Sequence, residues 1–263
     1  MGLSAISLVS GAGRLDLAAR WAGLRTVCYV ENDPYAQGIL MSRIRDGQFD
    51  AAPIWDDVRT FDGTQWRGKV DCVFGGFPCQ DVSIAGKRKG IKEGTRSWLW
   101  KEFARIICEV GPRFVLVENV SGLLLGGHLG TVLGDLAEMG FNAQWAMFPA
   151  SAIGAPHQRL RIFIVANSKE IPINIMGIAQ GKELHESFFY KGWRESFKLR
   201  GCDLLRGNAA KLVPPVVVYK SSIHRMDDGM EYQSYRIGCC GNGVVPQQAI
   251  PAFEKLKIMI GAK

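Results

Sequence analysis

Gly75-Gly76-Phe77-Pro78-Cys79-Gln80-Asp81-Val82-Ser83 is the stretch from which the rest of the chain is read. It follows an apolar run, Val70-Asp71-Cys72-Val73-Phe74, that reads as a buried strand. The two glycines and the proline are expected to turn the backbone out of that strand into a tight loop. A cysteine then stands at the carboxyl end of a strand, the edge at which open α/β sheets place their sites. A thiolate held there can act as a nucleophile, although a lone cysteine after a strand is more often inert.

Upstream, Ala5-Ile6-Ser7-Leu8-Val9 reads as a strand, Ser10-Gly11-Ala12-Gly13 as a turn and Leu15 to Ala22 as a helix. A second strand, Thr26-Val27-Cys28-Tyr29-Val30, ends at Glu31-Asn32-Asp33. Strand, glycine turn, helix, strand and terminal acid form a βαβ nucleotide-binding pattern. Its glycines admit a ligand to backbone N–H groups and its acid can hold ribose hydroxyls. The spacing is G-x-G without a third glycine, so an ordinary α/β turn is the competing reading. Pro34 to Arg45 reads as a helix capped by Asp33. Asp57, in a loop after a short strand near Ala52-Pro53-Ile54, can accept a hydrogen bond from an adenine amino group, or serve only as a solvated turn or a helix cap, the commoner fate of Asp-Asp.

Downstream of Cys79, Ser83 to Arg96 is basic, punctuated by glycine and poor in large apolar residues. It reads as a long loop of the kind that forms functional lids, with Lys87, Arg88, Lys89 and Arg96 suited to phosphate. Ser97 to Val110 is an amphipathic helix. The strand Arg113 to Val117 leads into Glu118-Asn119-Val120, so that a carboxylate again falls at a strand's carboxyl end and can act as an acid toward a base. A helix over Thr131 to Met139 is closed by Gly140. Two strands follow, Asn142 to Phe148 and Leu160 to Ala166. Arg159 and Arg161 alternate along the second and are expected on one face, where guanidiniums recognise carbonyl, carboxylate or phosphate oxygens. His157 reads as a hydrogen-bonded structural histidine or a neighbour of the site.

The alternating rhythm stops at Asn167. From there to Ile237, glycines, aromatics and basic residues are interspersed, which reads as a small inserted domain suited to nucleic acid. Gly241-Asn242-Gly243-Val244-Val245-Pro246 and a helix from Gln247 to Ile260 return to the main pattern. The expected organisation is a main domain over 1–166, an insert over 167–237 and a returning segment over 238–263.

Composition agrees. The 263 residues are 47% hydrophobic with a formal charge of +7, which suits a sizeable core and an anionic partner. The seven cysteines form no C-x-x-C and no paired metal-ligand spacing, so free thiols in a reducing compartment are expected and a metal site is not. No signal peptide or membrane span is read, and the expected location is the cytoplasm of a prokaryotic or phage-type system.

Taken together, Gly11-Ala12-Gly13 with Glu31, Gly75 to Ser83 around Pro78-Cys79, Glu118-Asn119-Val120, Gln158-Arg159-Leu160-Arg161 and Gly241 to Pro246 resemble the motif series of the DNA (cytosine-5) methyltransferases, in the family's order. Val9 and Arg14 stand where that family usually has an aromatic residue and a further glycine, and Gly243 where it commonly has serine or alanine. The resemblance implies a Rossmann-like mixed sheet with helices on both faces, of the S-adenosylmethionine-dependent methyltransferase type, plus a target recognition domain at 167–237. It implies Cys79 as the thiolate that adds to cytosine C6, Glu118 as the acid that holds N3 and the amino group, and Arg161 with Arg159 on O2. S-adenosylmethionine would be held by Gly11, Gly13, Glu31, Asp57, Gly75, Pro78, Leu99 and Asn242. Ser83, Lys87, Arg88, Lys89 and Arg96 would contact a double-stranded DNA from which the target base is flipped out. A monomer acting beside a cognate restriction endonuclease is the implied setting. An RNA cytosine-5 methyltransferase and a catalytically weak DNA-binding relative are the alternatives.

Overall fold

The computed structural model describes residues 2–78, 99–155, 157–169 and 243–259. Cys79, the Ser83–Arg96 loop, Asn242 and nearly all of the expected insert lie outside the described residues.

The elements alternate as expected: β1 (Ser4–Leu8), α1 (Arg14–Trp21), β2 (Arg25–Val30), α2 (Pro34–Arg45), β3 (Ile54–Trp55), β4 (Cys72–Gly76), α3 (Leu99–Val110), β5 (Phe114–Val120), α4 (His128–Glu138), β6 (Phe141–Phe148), β7 (Arg161–Ser168) and α5 (Pro246–Met259). Asp33 caps α2, its Oδ1 accepting the Tyr35 amide at 2.9 Å, with Pro34 in the first turn. Gly140 follows α4 at φ +84°, a conformation that L side chains rarely adopt.

The strands form one seven-stranded sheet in the order β3-β2-β1-β4-β5-β7-β6. β1 to β5 run parallel to one another, whereas β7 is antiparallel to both β5 and β6. The strand alternation divides the core in two. Ile6, Leu8, Val73, Val115, Val117, Ile162 and Ile164 face one side, with Trp100, Phe103 and Ile107 of α3 and Val132 and Leu136 of α4. Ala5, Cys72, Phe74, Phe114, Leu116, Phe163 and Val165 face the other, with Ala18 and Ala19 of α1 and Phe253 and Leu256 of α5. Burying both faces of a largely parallel sheet requires this continuous apolar character in the strands. Among the described residues no helix is long and apolar enough to cross a membrane.

Two expectations change. Gly75 and Gly76 do not break the strand: both belong to β4, which runs two residues further than the apolar run suggests. They serve by lacking a Cβ. At Gly75 a Cβ would stand 2.2 Å from the Leu8 carbonyl oxygen, and at Gly76 it would stand 2.7 Å from Glu118 Oε2. Likewise Glu118, Asn119 and Val120 lie inside β5 rather than beyond it.

Candidate active site

The register sets the site. Gly76 of β4 pairs with Glu118 of β5, and Glu118 pairs with Phe163 of β7. Because β7 runs backwards, its first residue, Arg161, pairs with Val120 at the carboxyl end of β5. Glu118 and Arg161 are two positions apart along this ladder and therefore share a face. Arg161 Nε lies 2.9 Å from Glu118 Oε1, and the two side chains are 11% and 13% exposed. The approach is bent, so the pair is an ionic contact in which Oε1 has no well-aimed hydrogen bond. Burial pushes the Glu118 carboxyl up to about 7, and the charges of Arg161 and then Arg159 offset only part of that rise. A carboxyl so placed exchanges a proton near neutral pH, as a general acid must.

Arg159 reaches this group by a different route from the one its spacing suggests. It precedes β7 and has a φ of +30°, so strand alternation does not orient it. The C-terminal segment does. Arg159 Nη2 donates to the Gly243 carbonyl, and the Gln248 side-chain amide donates to the Arg159 carbonyl at 2.9 Å and to the Phe148 carbonyl. Gln248, at the start of α5, is buried and ties the ends of β6 and of the 150–160 loop to the helix. His157, expected as a hydrogen-bonded structural histidine or a neighbour of the site, has a buried Nδ1 with no hydrogen-bond partner among the described residues.

Phe77 and Pro78 leave β4 directly beside Glu118. The Phe77 ring is buried against Trp100 and Phe103 of α3. The Asn119 side-chain amide donates to the Phe77 carbonyl at 3.2 Å, and Asn119 Oδ1 accepts the Val120 amide at 2.8 Å. Asn119 thus fixes the backbone immediately before Pro78-Cys79. Its neighbour Glu118 marked the motif, but nothing in the sequence assigned Asn119 this task.

A second cluster forms at the carboxyl ends of β1, β2 and β3. The Gly11 amide donates to Glu31 Oε2 at 2.6 Å and the Asp33 amide to Glu31 Oε1 at 2.8 Å, so the acid fastens the glycine turn. Each carboxylate oxygen keeps a further lone pair for a hydroxyl. Among the described residues a Cβ at Gly11 would meet nothing within 4 Å, so space is open beside the turn, whereas at Gly13 it would stand 2.2 Å from the Phe49 ring. Val9 adopts a φ of +50°, uncommon for a β-branched residue, where the chain enters this turn. Trp55 of β3 accepts the Glu31 amide at 2.9 Å, which sets Asp57 two residues beyond that contact. Leu99 opens α3, half-buried against the core. Open space at a glycine turn, a carboxylate for a diol and a second carboxylate beyond β3 fit a nucleoside-bearing cofactor.

Asp16, in the first turn of α1, is 2% exposed and belongs to neither cluster's chemistry. Both of its oxygens lack a well-formed hydrogen bond among the described residues. Burial pushes its carboxyl up from 3.8 to about 7, with the Ser7 hydroxyl offsetting a part. The raised value means that the folded state holds a proton which the unfolded chain releases. Stability from this group is complete below pH 3.8 and declines as pH rises through about 7, by at most about 4 kcal/mol. Asp16→Asn is therefore expected to flatten the dependence of unfolding free energy on pH between those limits. Urea unfolding at several pH values measures it, and an unchanged slope would exclude a buried proton at Asp16.

Comparison with known proteins places these features in context. Residues 3–195 match the family model described as C-5 cytosine-specific DNA methylase. The chain is 36% identical over 165 residues to the Type II methyltransferase M.Eco47II of Escherichia coli, and 36% identical over 166 residues to M.PspPI of a Psychrobacter strain. These alignments cover 61% and 62% of this chain but only 38% and 39% of the relatives' lengths. Among solved structures, a DNA modification methyltransferase encoded within an Escherichia coli prophage superposes with a TM-score of 0.53 at 27% identity, covering 66% of this chain and 49% of that one. Spodoptera frugiperda DNMT2, at 19% identity and a TM-score of 0.54, shares the fold over 69% of this chain and 53% of its own.

Proposed function

The chain belongs to the C-5 cytosine-specific DNA methylase family, and on that premise we propose that it methylates C5 of cytosine in double-stranded DNA with S-adenosylmethionine as the methyl donor. The observation that carries this reading is the buried Glu118 carboxyl, poised near pH 7 between Arg161 and Arg159 and paired with Gly76 on the neighbouring strand, three residues before Cys79 in sequence.

Cytosine C5 is a weak nucleophile, and the proposed site corrects this in steps. The target base is flipped out of the stack to reach the sheet edge. Glu118 delivers its proton to N3, which makes C6 electrophilic. The Cys79 thiolate adds to C6, and the electron pair moves to C5. S-adenosylmethionine, held by the residues named below, would supply an electrophilic methyl group to that carbon, its S–CH3 bond breaking to leave the neutral thioether S-adenosylhomocysteine. A base then removes the C5 proton, the C6–S bond breaks and the thiolate is restored. Arg161, with Arg159, holds O2 and stabilises the charge that gathers on the ring. Glu31 holds the ribose and Asp57 the adenine amino group, with Gly11, Gly13, Gly75, Pro78, Leu99 and Asn242 lining the same cleft. Ser83, Lys87, Arg88, Lys89 and Arg96 take the DNA backbone, and the 167–237 segment reads base edges in the major groove. A restriction endonuclease of the same specificity is the proposed partner.

The test is methyl transfer to duplex DNA and to RNA of matched sequence, with the product base identified by mass spectrometry. We expect 5-methylcytosine in the duplex. Methylation confined to RNA, or to another atom of the base, would overturn the assignment.

A further inference from the structure

Asp57 and Arg59 hold the observation that the proposed chemistry leaves unused. Asp57 Oδ1 accepts from the Arg59 backbone amide at 2.9 Å and from its Nε at 3.0 Å. Oδ2 accepts from Nε at 3.0 Å and from Nη2 at 2.6 Å. Three N–H groups thus crowd a carboxylate that has about four lone-pair directions, the one Nε–H being shared between both oxygens, and every contact but the backbone one comes from a single guanidinium.

The surrounding turn stands without that guanidinium. Thr60 N and Oγ1 both donate to the Asp57 carbonyl at 3.1 Å, and Trp55 Nε1 donates to Thr60 Oγ1 at 3.0 Å. Trp55 in turn lies edge-on to Phe61, with ring centroids 6.0 Å apart. The Arg59 side chain is 65% exposed, against 23% for Asp57, and among the described residues it hydrogen-bonds only to Asp57. It can swing into solvent while the Arg59 amide keeps the carboxylate aimed.

We propose that Arg59 is a displaceable competitor at the cofactor site: its guanidinium occupies the Asp57 oxygens that the adenine amino group of S-adenosylmethionine must use, and binding requires its departure. The inference rests on the reading of Asp57 as the adenine acceptor. It makes Arg59 a residue that sets cofactor affinity from above, by tuning how readily the acceptor is released. An exposed pair of this kind contributes little, so Arg59→Ala should tighten binding roughly two- to fivefold. Salt weakens the pair, so the gap between wild type and variant should close as ionic strength rises from about 0.05 M to about 1 M.

Titration calorimetry of the full chain with S-adenosylmethionine tests this, using wild type, Arg59→Ala, Arg59→Gln, Asp57→Asn and the Asp57→Asn, Arg59→Ala double variant. We expect both Arg59 variants to bind more tightly at low salt and to converge with wild type at high salt. Asp57→Asn should bind more weakly, and adding Arg59→Ala to it should change nothing further. If Asp57→Asn weakens binding while the Arg59 variants are unchanged or weaker, Arg59 is no competitor and the reading of Asp57 survives. If Asp57→Asn binds as wild type does, or no variant binds the donor, that reading falls and the competitor with it.

Discussion

Cys79→Ser is expected to lower methyl transfer by at least about 10⁴-fold while leaving DNA binding in place. A serine hydroxyl at that position stays protonated near neutral pH and cannot add to C6 as a thiolate does. The surroundings should tolerate the exchange. The preceding backbone is held by the Asn119 amide on the Phe77 carbonyl and by the buried Phe77 ring, neither of which depends on sulfur. A duplex carrying 5-fluorocytosine at the target gives the complementary result. Fluorine at C5 cannot be removed as a proton is, so the wild-type chain should remain covalently joined to it, with the mass of the added base on the Cys79 peptide. A Cys79→Ser protein that still methylates, or an active wild type that leaves no such peptide, would dismiss the thiolate.

Glu118→Gln is the second large effect, an expected loss of about 10²- to 10⁴-fold. The amide keeps the shape that Gly76 makes room for but cannot pass a proton to N3. The pH dependence distinguishes this from a packing defect. Burial raises the Glu118 carboxyl to about 7 against the pull of Arg161 and Arg159, so the protonated form dominates below that value and fades above it. Wild-type turnover limited by this proton should fall as pH rises past about 7, and Glu118→Gln should lack that limb. A variant whose residual activity keeps the same alkaline decline would assign the titration elsewhere.

Much of this arrangement was legible in the sequence because period and punctuation act locally. The alternation of apolar residues placed the strands, Asp33-Pro34 placed the start of α2, and Gly140 marked the end of α4. The site was less legible wherever an answer depends on another strand. Gly75-Gly76 looks like a turn from within its own segment. Only beside Leu8 of β1 and Glu118 of β5 does the need for a missing side chain become visible. Arg159 and Arg161 look like neighbours on a strand, but a positive φ at Arg159 ends the alternation, and α5, distant in sequence, orients the residue instead. Gln248 gave no signal, since a glutamine near the start of a helix is ordinarily a surface residue, and this one is buried beneath two carbonyls. Asp57 was read as an acceptor for an adenine amino group or as a solvated turn or cap, and nothing in the sequence signalled that the arginine two positions along would hold its carboxylate.

The reversal of β7 also bears on how the chain can be cut and rejoined. Its last residues pair with the starts of β5 and β6, and Lys169 donates to the Gly140 carbonyl, so the chain departs toward residue 170 from the sheet margin remote from Glu118. It comes back at Gly243, against Arg159, on the opposite margin. The two junctions are thus separated by the length of β7, about 24 Å at about 3.4 Å per residue. Deleting 170–242 and splicing the ends directly would tear the scaffold; a tether of about eight extended residues is the shortest that reaches. For the same reason a segment borrowed from a relative must span that gap, so the proposed recognition segment can be exchanged only by grafts whose termini lie far apart.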